Sequence, residues 1–253
     1  MAEIVVVTDP DAAADIAATR IAAVLSDAVA TRGRADWATT GGSTAPGIYR
    51  RLAEPPHGDD VPWPNVHVWW GDDRFVPRDH PLSNVKPFDD LLRSDVSLAA
   101  ANIHPIRMTE AIAADRDPAW AADAFTRDLQ AMNLELADGL PVLDLVVLGV
   151  GGDGHILSVF PGSEAFDAPT DRWGLAIPAP SHIEPHVERV TLHPGAIAAA
   201  RGVLVVATGA GKAEVLARIF GPDRDPRRLP AQLTLNEHCT WILDDAAAAL
   251  LPR

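Results

Sequence analysis

The chain has 253 residues, 47% of them hydrophobic and 22% charged, with a formal net charge of −14. That length accommodates one large α/β domain or two small ones around a substantial core. The negative balance excludes binding of nucleic acid or acidic membranes through a general basic field, so an anionic ligand would need a local positive site built against the chain's own field.

IVVV (4–7) predicts a short buried strand with no basic n-region before it, and no segment approaches the ~20 uninterrupted apolar residues of a membrane span. Asp11 is placed to cap a helix whose face carries Ile21, Val24, Leu25, Ala28 and Val29, and Gly33 is its stop signal. DWATT (36–40) predicts a second strand, and GGSTAPGIYRRL a loop feeding a short helix. VHVWW (66–70) is a third strand that runs into GDDR. An irregular stretch, FVPRDHPLSN, precedes a helix near VKPFDDLLR, and residues 117–137 predict one long helix. LDLVVLGV (143–150) is the next strand. Further strands are predicted at 174–177, 188–192, 202–208 and 239–243, with a helix over 212–220 and an alanine-rich final helix. GPDRDPRRLP (221–230) reads as a surface loop, and the chain has neither an internal repeat nor a long linker. Apolar strands alternating with helices predict an α/β fold, one domain with a mainly parallel sheet. Cys239 is the only cysteine, which excludes an intrachain disulfide and suits a reducing cytoplasm. Within CTWIL it reads as a core residue.

In open α/β sheets ligands lie beyond the carboxyl ends of the strands. Four predicted strands end in TTGGST, GDDR, GVGGDGH and ATGAGK. In the first, Gly41 and Gly42 allow a tight turn, Ser43 and Thr44 offer hydroxyls and caps, and Pro46 suits a first helical turn. The unpaired N–H groups there favour a phosphate or carboxylate, although an ordinary capped helix uses the same residues. No lysine follows at the spacing of a Walker loop. Lys212, with Lys86 one of only two lysines, stands where a helix dipole disfavours a cation. It is either a solvated surface residue or a partner of an anion at that helix start. Asp72-Asp73-Arg74 is either a structural ion pair or a phosphate clamp with carboxylates for sugar hydroxyls. No compact His/Cys/Asp cluster accompanies it, so no metal is expected.

Gly149, Gly151 and Gly154 fit G-x-G-x-x-G. A dinucleotide fingerprint also needs a helix after the third glycine and an acidic residue ending the next strand about 20 residues on. Pro161-Gly162 interrupts the first requirement, and Asp167 and Asp171 fall before the next strand rather than at its end. What remains is Asp153-Gly154-His155 at a strand end. His155 is either a general base that titrates near neutrality or one more structural residue among nine histidines.

The ordered set GGST, DDR…SN, LGVGGDGH…FPGS and RVTL…TGAGK, closed by CTWILDDAAA, resembles the 6-phosphogluconolactonase family from about residue 39 to 249. The resemblance implies a Rossmann-like α/β fold, a mainly parallel sheet flanked by helices. It implies hydrolysis of 6-phospho-D-glucono-1,5-lactone by a monomer or small homo-oligomer without metal or organic cofactor. His155 would be the general base, and Asp153 would position it or bind sugar hydroxyls. Arg74, Lys212 and the Ser43–Thr44 helix start would hold the phosphate, and Gly42, Asp72, Ser83, Asn84, Gly151 and Gly152 would complete the substrate contacts. Backbone N–H groups within Gly151–Gly154 would face the oxyanion. Two positions depart from the family pattern: Asp73 replaces the usual Glu, and Ile156 the usual Thr. The related glucosamine-6-phosphate deaminases carry Glu where this chain has Phe160 and Tyr where it has Arg74, and both differences favour the lactonase. A non-catalytic sugar-phosphate sensor on the same fold would leave His155 unexplained.

Overall fold

The structure is a computed structural model that describes residues 1–251. In chain order the first half comprises β1 (Glu3–Val7), α1 (Pro10–Arg32), β2 (Ala35–Thr39), α2 (Ala45–Ala53), β3 (Val66–Trp70), β4 (Asp72–Arg74), α3 (Lys86–Leu91), β5 (Ile103–His104), α4 (Met108–Ala113) and α5 (Pro118–Ala131). The second half comprises β6 (Leu136–Ala137), β7 (Leu140–Pro141), β8 (Leu145–Leu148), β9 (Gly174–Ile177), β10 (Arg189–Leu192), α6 (Ala196–Ala199), β11 (Val203–Ala207), α7 (Ala213–Ile219), β12 (Cys239–Asp244) and α8 (Asp245–Ala248).

Seven strands form one parallel sheet in the order β1-β12-β11-β8-β2-β3-β5. Because successive side chains of a strand point to opposite faces, neighbouring apolar residues feed two separate cores. Trp69, Val146 and Trp241 join Phe125 of α5 and Leu216 of α7 on one face. Trp70, Val147 and Ile242 join Ile21 of α1, Tyr49 of α2 and Phe88 of α3 on the other. Both faces being covered, the central strands are almost continuously apolar, as parallel sheets require. The four strands that end in polar sequence, β11, β8, β2 and β3, are consecutive neighbours in the sheet. Their carboxyl ends therefore open into one place. A small antiparallel sheet, β4-β10-β9, continues from β3 and pairs Arg189 with Arg74 and Thr191 with Asp72.

Four local expectations are corrected. β1 is an edge strand with only β12 beside it, so Ile4 and Val6 are exposed (42% and 46%) while Val5 and Val7 pack inward. Asp9, not Asp11, caps α1: its carboxylate accepts the Ala12 N–H at 2.9 Å, and Pro10 begins the helix. Gly33 ends α1 as expected, in the left-handed region with φ 78°. The long helix stops at Ala131, because Asn133 turns the chain with φ 50° and β6 and β7 then form a hairpin. Its turn residues, Asp138 and Gly139, both have positive φ (52° and 81°), as an Asp-Gly two-residue turn requires. The alanine-rich final helix is a single turn capped by Asp244, whose carboxylate accepts the Ala247 N–H at 2.8 Å.

Candidate active site

The loop after β8 is folded by its own backbone. The Gly151 N–H donates to His155 O (2.9 Å), and the Gly154 N–H donates to Gly151 O (3.0 Å). Gly154 takes φ 91°, a region that favours glycine. Gly151 is required for a different reason: a Cβ there would lie 2.0 Å from His155 Nδ1 and 2.7 Å from Asp153 Oδ1. The glycine makes room for a histidine–aspartate pair. Beneath the loop the Ala231 N–H donates to Gly154 O (2.9 Å), and Leu229 is buried against Gly154, so the 221–230 segment is a surface loop as expected except at its last two residues, which turn inward as a support.

Asp153 Oδ1 lies 2.6 Å from His155 Nδ1 and also accepts the His155 backbone N–H at 3.1 Å. Its other oxygen lies 2.8 Å from His182 Nε2. Burial opposes ionisation of Asp153, but hydrogen bonds and charge from His155, with help from His182, outweigh it and hold the carboxyl well below the usual carboxylate range. An ionised carboxylate only accepts, so in the neutral imidazole the proton sits on Nδ1 in this bond and Nε2 is the nitrogen with the free lone pair. Phe160 packs against the ring with centroids 4.7 Å apart. His155 therefore lines the cleft with Nε2 available, and Asp153 stands behind it.

The rest of the cleft comes from the neighbouring strand ends, with Thr40–Thr44 after β2, Asp72, Arg74 and Asn84 after β3, and Thr208 and Lys212 after β11. Its volume is about 160 Å³. The N–H groups of Gly42 and Ser43 donate to no other described residue, and Thr44 makes no side-chain cap. The start of α2 thus presents unpaired donors to the cleft, the arrangement that binds anions. Asn84 lies directly over Gly41, where a Cβ would come 1.9 Å from its Oδ1. That same oxygen accepts a hydrogen bond from the Arg74 guanidinium, which also donates to Leu82 O at 3.0 Å. Lys212 donates to Val150 O at 2.7 Å, and burial pulls its ammonium below the ordinary lysine value.

Arg189 joins them from β10. It is 3% exposed, its guanidinium lies 5.2 Å over the Phe160 ring, and burial pulls its pKa down. Directly opposed like charges destabilise a strand pair, and here Arg189 stands across from Arg74. Neither their Nε atoms nor Lys212 offers an internal remedy: both Nε atoms are buried without a hydrogen-bond partner, and among the described residues none of the three cations has a carboxylate at ion-pair distance. In a chain of net charge −14, three unpaired cations around one cleft form a local anion site.

Among the site residues expected from sequence, His155, Gly42, Ser43, Thr44, Asp72, Arg74, Asn84, Gly151 and Lys212 line this cleft. Asp153 does not line it but holds His155. Ser83 and Gly152 are the exceptions. Ser83 is buried, donates to Asp73 Oδ2 at 3.0 Å and accepts the Val85 N–H. Gly152 is exposed outside the lining. The N–H groups of Gly151 and Gly154 are committed within the loop, so they are not oxyanion donors. Asp73 also accepts the N–H groups of Arg74 (2.8 Å) and Asn84 (2.6 Å), which makes it a staple for the segment behind the cleft. Ile156 is completely buried in the core, so the missing hydroxyl of that position is not a cleft group. Arg189 and His182 were not singled out in the sequence. Arg189 opens the RVTL strand, but its approach to Arg74 depends on pairing strands more than 100 residues apart. His182 follows a proline-rich stretch that carries no periodic signal. Among the described residues no group of three or more His, Cys, Asp or Glu is arranged to hold a metal, and no helix is long and apolar enough to cross a membrane.

A histidine held by an aspartate, facing three unpaired cations at the carboxyl ends of a parallel sheet, defines an α/β protein whose cleft suits a small anionic molecule. The family model described as glucosamine-6-phosphate isomerases/6-phosphogluconolactonase matches residues 8–242, and the chain belongs to that family. A 6-phosphogluconolactonase of Synechocystis sp. is 34% identical over 224 residues, 88% of this chain and 87% of its own. One from Streptomyces coelicolor is 32% identical over 255 residues, 99% of this chain and 95% of its own. The solved 6-phosphogluconolactonase of Trypanosoma brucei superposes with a TM-score of 0.85 at 25% identity, covering 100% of this chain and 99% of its own.

Proposed function

We propose that this protein hydrolyses 6-phospho-D-glucono-1,5-lactone to 6-phospho-D-gluconate, a step of the oxidative pentose phosphate pathway. The observation that carries the reading is the convergence of Arg74, Arg189 and Lys212, all without carboxylate partners, on the cleft that His155 lines. The phosphate is held by Arg74, Lys212 and the N–H groups that start α2. Anchoring it brings the lactone carbonyl to the base, so binding energy at one end serves the reaction at the other. His155 Nε2 takes a proton from water, and the resulting hydroxide attacks C1. Asp153 holds the imidazole in the required tautomer and stabilises the imidazolium. Arg189 shares the Phe160 ring with His155, which puts its charge at the base's end of the cleft, where the oxyanion forms. Collapse of the tetrahedral intermediate breaks the C1–ring oxygen bond, and the proton on Nε2 passes to the leaving oxygen. Ester hydrolysis of this kind needs neither an electron sink nor a redox group. All of these residues come from one chain, so a monomer or small homo-oligomer is sufficient, working in the cytoplasm.

The family also contains amino-sugar phosphate isomerases. Phe160 argues against that chemistry here, because an apolar ring cannot exchange protons during ring opening. The deciding experiment generates the lactone with glucose-6-phosphate dehydrogenase and follows 6-phosphogluconate above the spontaneous background. Acceleration supports the reading. No acceleration at high protein concentration, or ammonia release from glucosamine 6-phosphate, overturns it.

A further inference from the structure

His182 lies outside the cleft, on the proline-rich segment between β9 and β10, with 49% of its side chain exposed. Its Nε2 stands 2.8 Å from Asp153 Oδ2, the oxygen that His155 does not use. Its ring meets Phe160 edge-on at 5.7 Å, on the same phenyl group that packs against His155. Two imidazoles thus grip opposite oxygens of one carboxylate. His155 alone, through Nδ1 and its backbone N–H, fixes only Oδ1, and the carboxylate would remain free to swing its second oxygen toward water.

We propose that His182 is a positioning residue for the reaction, acting on His155 through Asp153. It holds Oδ2, fixes the plane of the carboxylate, and draws part of the negative charge away from the base. The inference rests on the reading of His155 as that base. Charge also follows. Once His182 gains its second proton, a positive charge faces His155 across Asp153 and opposes formation of the imidazolium. The other charged groups around Asp153 are Arg189 from β10 and Lys212 from the segment before α7. Asp72, Asp73 and Arg74 in turn act on the charge of Arg189. On its own segment, Glu184 is paired with His186 at 3.1 Å. Phe160 contributes no charge. His182 is therefore the titratable group in hydrogen-bond contact with the free side of the carboxylate.

The test is the pH profile of lactone hydrolysis for wild type, His182→Ala and His182→Gln, with thermal unfolding as a folding control. In His182→Ala the plateau kcat falls several-fold, KM is unchanged, and the acid limb of kcat/KM moves to higher pH by about half a unit, the size expected of one partly solvated charge across a carboxylate. His182→Gln, whose amide N–H reaches the same oxygen, restores most of the plateau. An unmoved acid limb and a wild-type plateau in His182→Ala overturn the proposal, as does an equal loss in the Gln variant. The midpoint at which the His155 ring resonances titrate by NMR, followed without substrate, reads the coupling independently of turnover. If His155 is not the base, activity survives its removal, while this midpoint still moves or fails to move on replacing His182.

Discussion

Adding one methyl group at residue 151 tests the active-site geometry more sharply than removing a functional group. In Gly151→Ala the new Cβ would stand 2.0 Å from His155 Nδ1, 2.2 Å from Cε1 and 2.7 Å from Asp153 Oδ1. Ordinary contact distances near 3.4 Å require the imidazole to retreat by roughly 1.4 Å, and a bond of 2.6 Å cannot survive that movement. Displacing a catalytic group by about 1 Å costs on the order of 100-fold. Loss of the Asp153 contact adds to this, so kcat is expected to fall by about 100- to 1,000-fold. The loop must also absorb the overpacking, which lowers stability by about 1–3 kcal/mol. The neighbouring Gly152 provides the control. It is exposed, has no atom within 4 Å of a Cβ position and does not take positive φ, so Gly152→Ala is expected to remain near wild type. The coupled lactone assay reads activity and urea unfolding reads stability. Near wild-type kcat in a folded Gly151→Ala protein, or equal losses in both variants, would refute the argument that this glycine exists to seat the pair.

Three further outcomes are expected. Lys212→Ala raises KM for the phosphorylated lactone by about 10- to 100-fold, the worth of one charge-assisted contact, and an equal loss with the unphosphorylated lactone would show that Lys212 does not hold the phosphate. Arg189→Met keeps the contact with Phe160 while removing the charge opposite Arg74; unfolding in urea should show equal or higher stability, accompanied by at least a 10-fold loss of kcat/KM. Burial is the largest influence on Asp73 and pushes its pKa up to about 7 against an ordinary value of 3.8. The folded protein thus keeps a proton that the unfolded chain releases, so this group makes the fold progressively less stable as pH rises from about 4 to about 7. Asp73→Asn flattens that slope in urea titrations, and an unchanged slope would place the pH dependence elsewhere.

Much of this arrangement is legible in the sequence because parallel strands announce themselves as apolar runs and their carboxyl ends collect polar motifs. TTGGST, GDDR, GVGGDGH and ATGAGK are far apart in the chain, yet the sheet order makes their strands neighbours. The failed dinucleotide fingerprint is equally legible, through Pro161 and Gly162. What the sequence conceals is the work of individual atoms. Gly41 reads as a turn residue and Gly151 as a substrate contact, but each also leaves a space that a side chain, Asn84 or His155, fills. Ser83 reads as a ligand contact and is instead bonded inward to Asp73. Arg189 and His182 reach the site only through long-range antiparallel pairing and an irregular loop, where neither period nor spacing carries information. The helix expected over 117–137 overruns because Asp138-Gly139, a strong hairpin signal, lies just beyond it.

In the proposed reaction the free nitrogen of His155 is the base. That role is decided by kcat of His155→Ala relative to wild type in the coupled assay, with spontaneous hydrolysis subtracted and folding checked by thermal unfolding. Removal of a general base predicts a fall of about 100- to 10,000-fold with KM little changed. Turnover near that of wild type in the folded variant would mean that another group is the base.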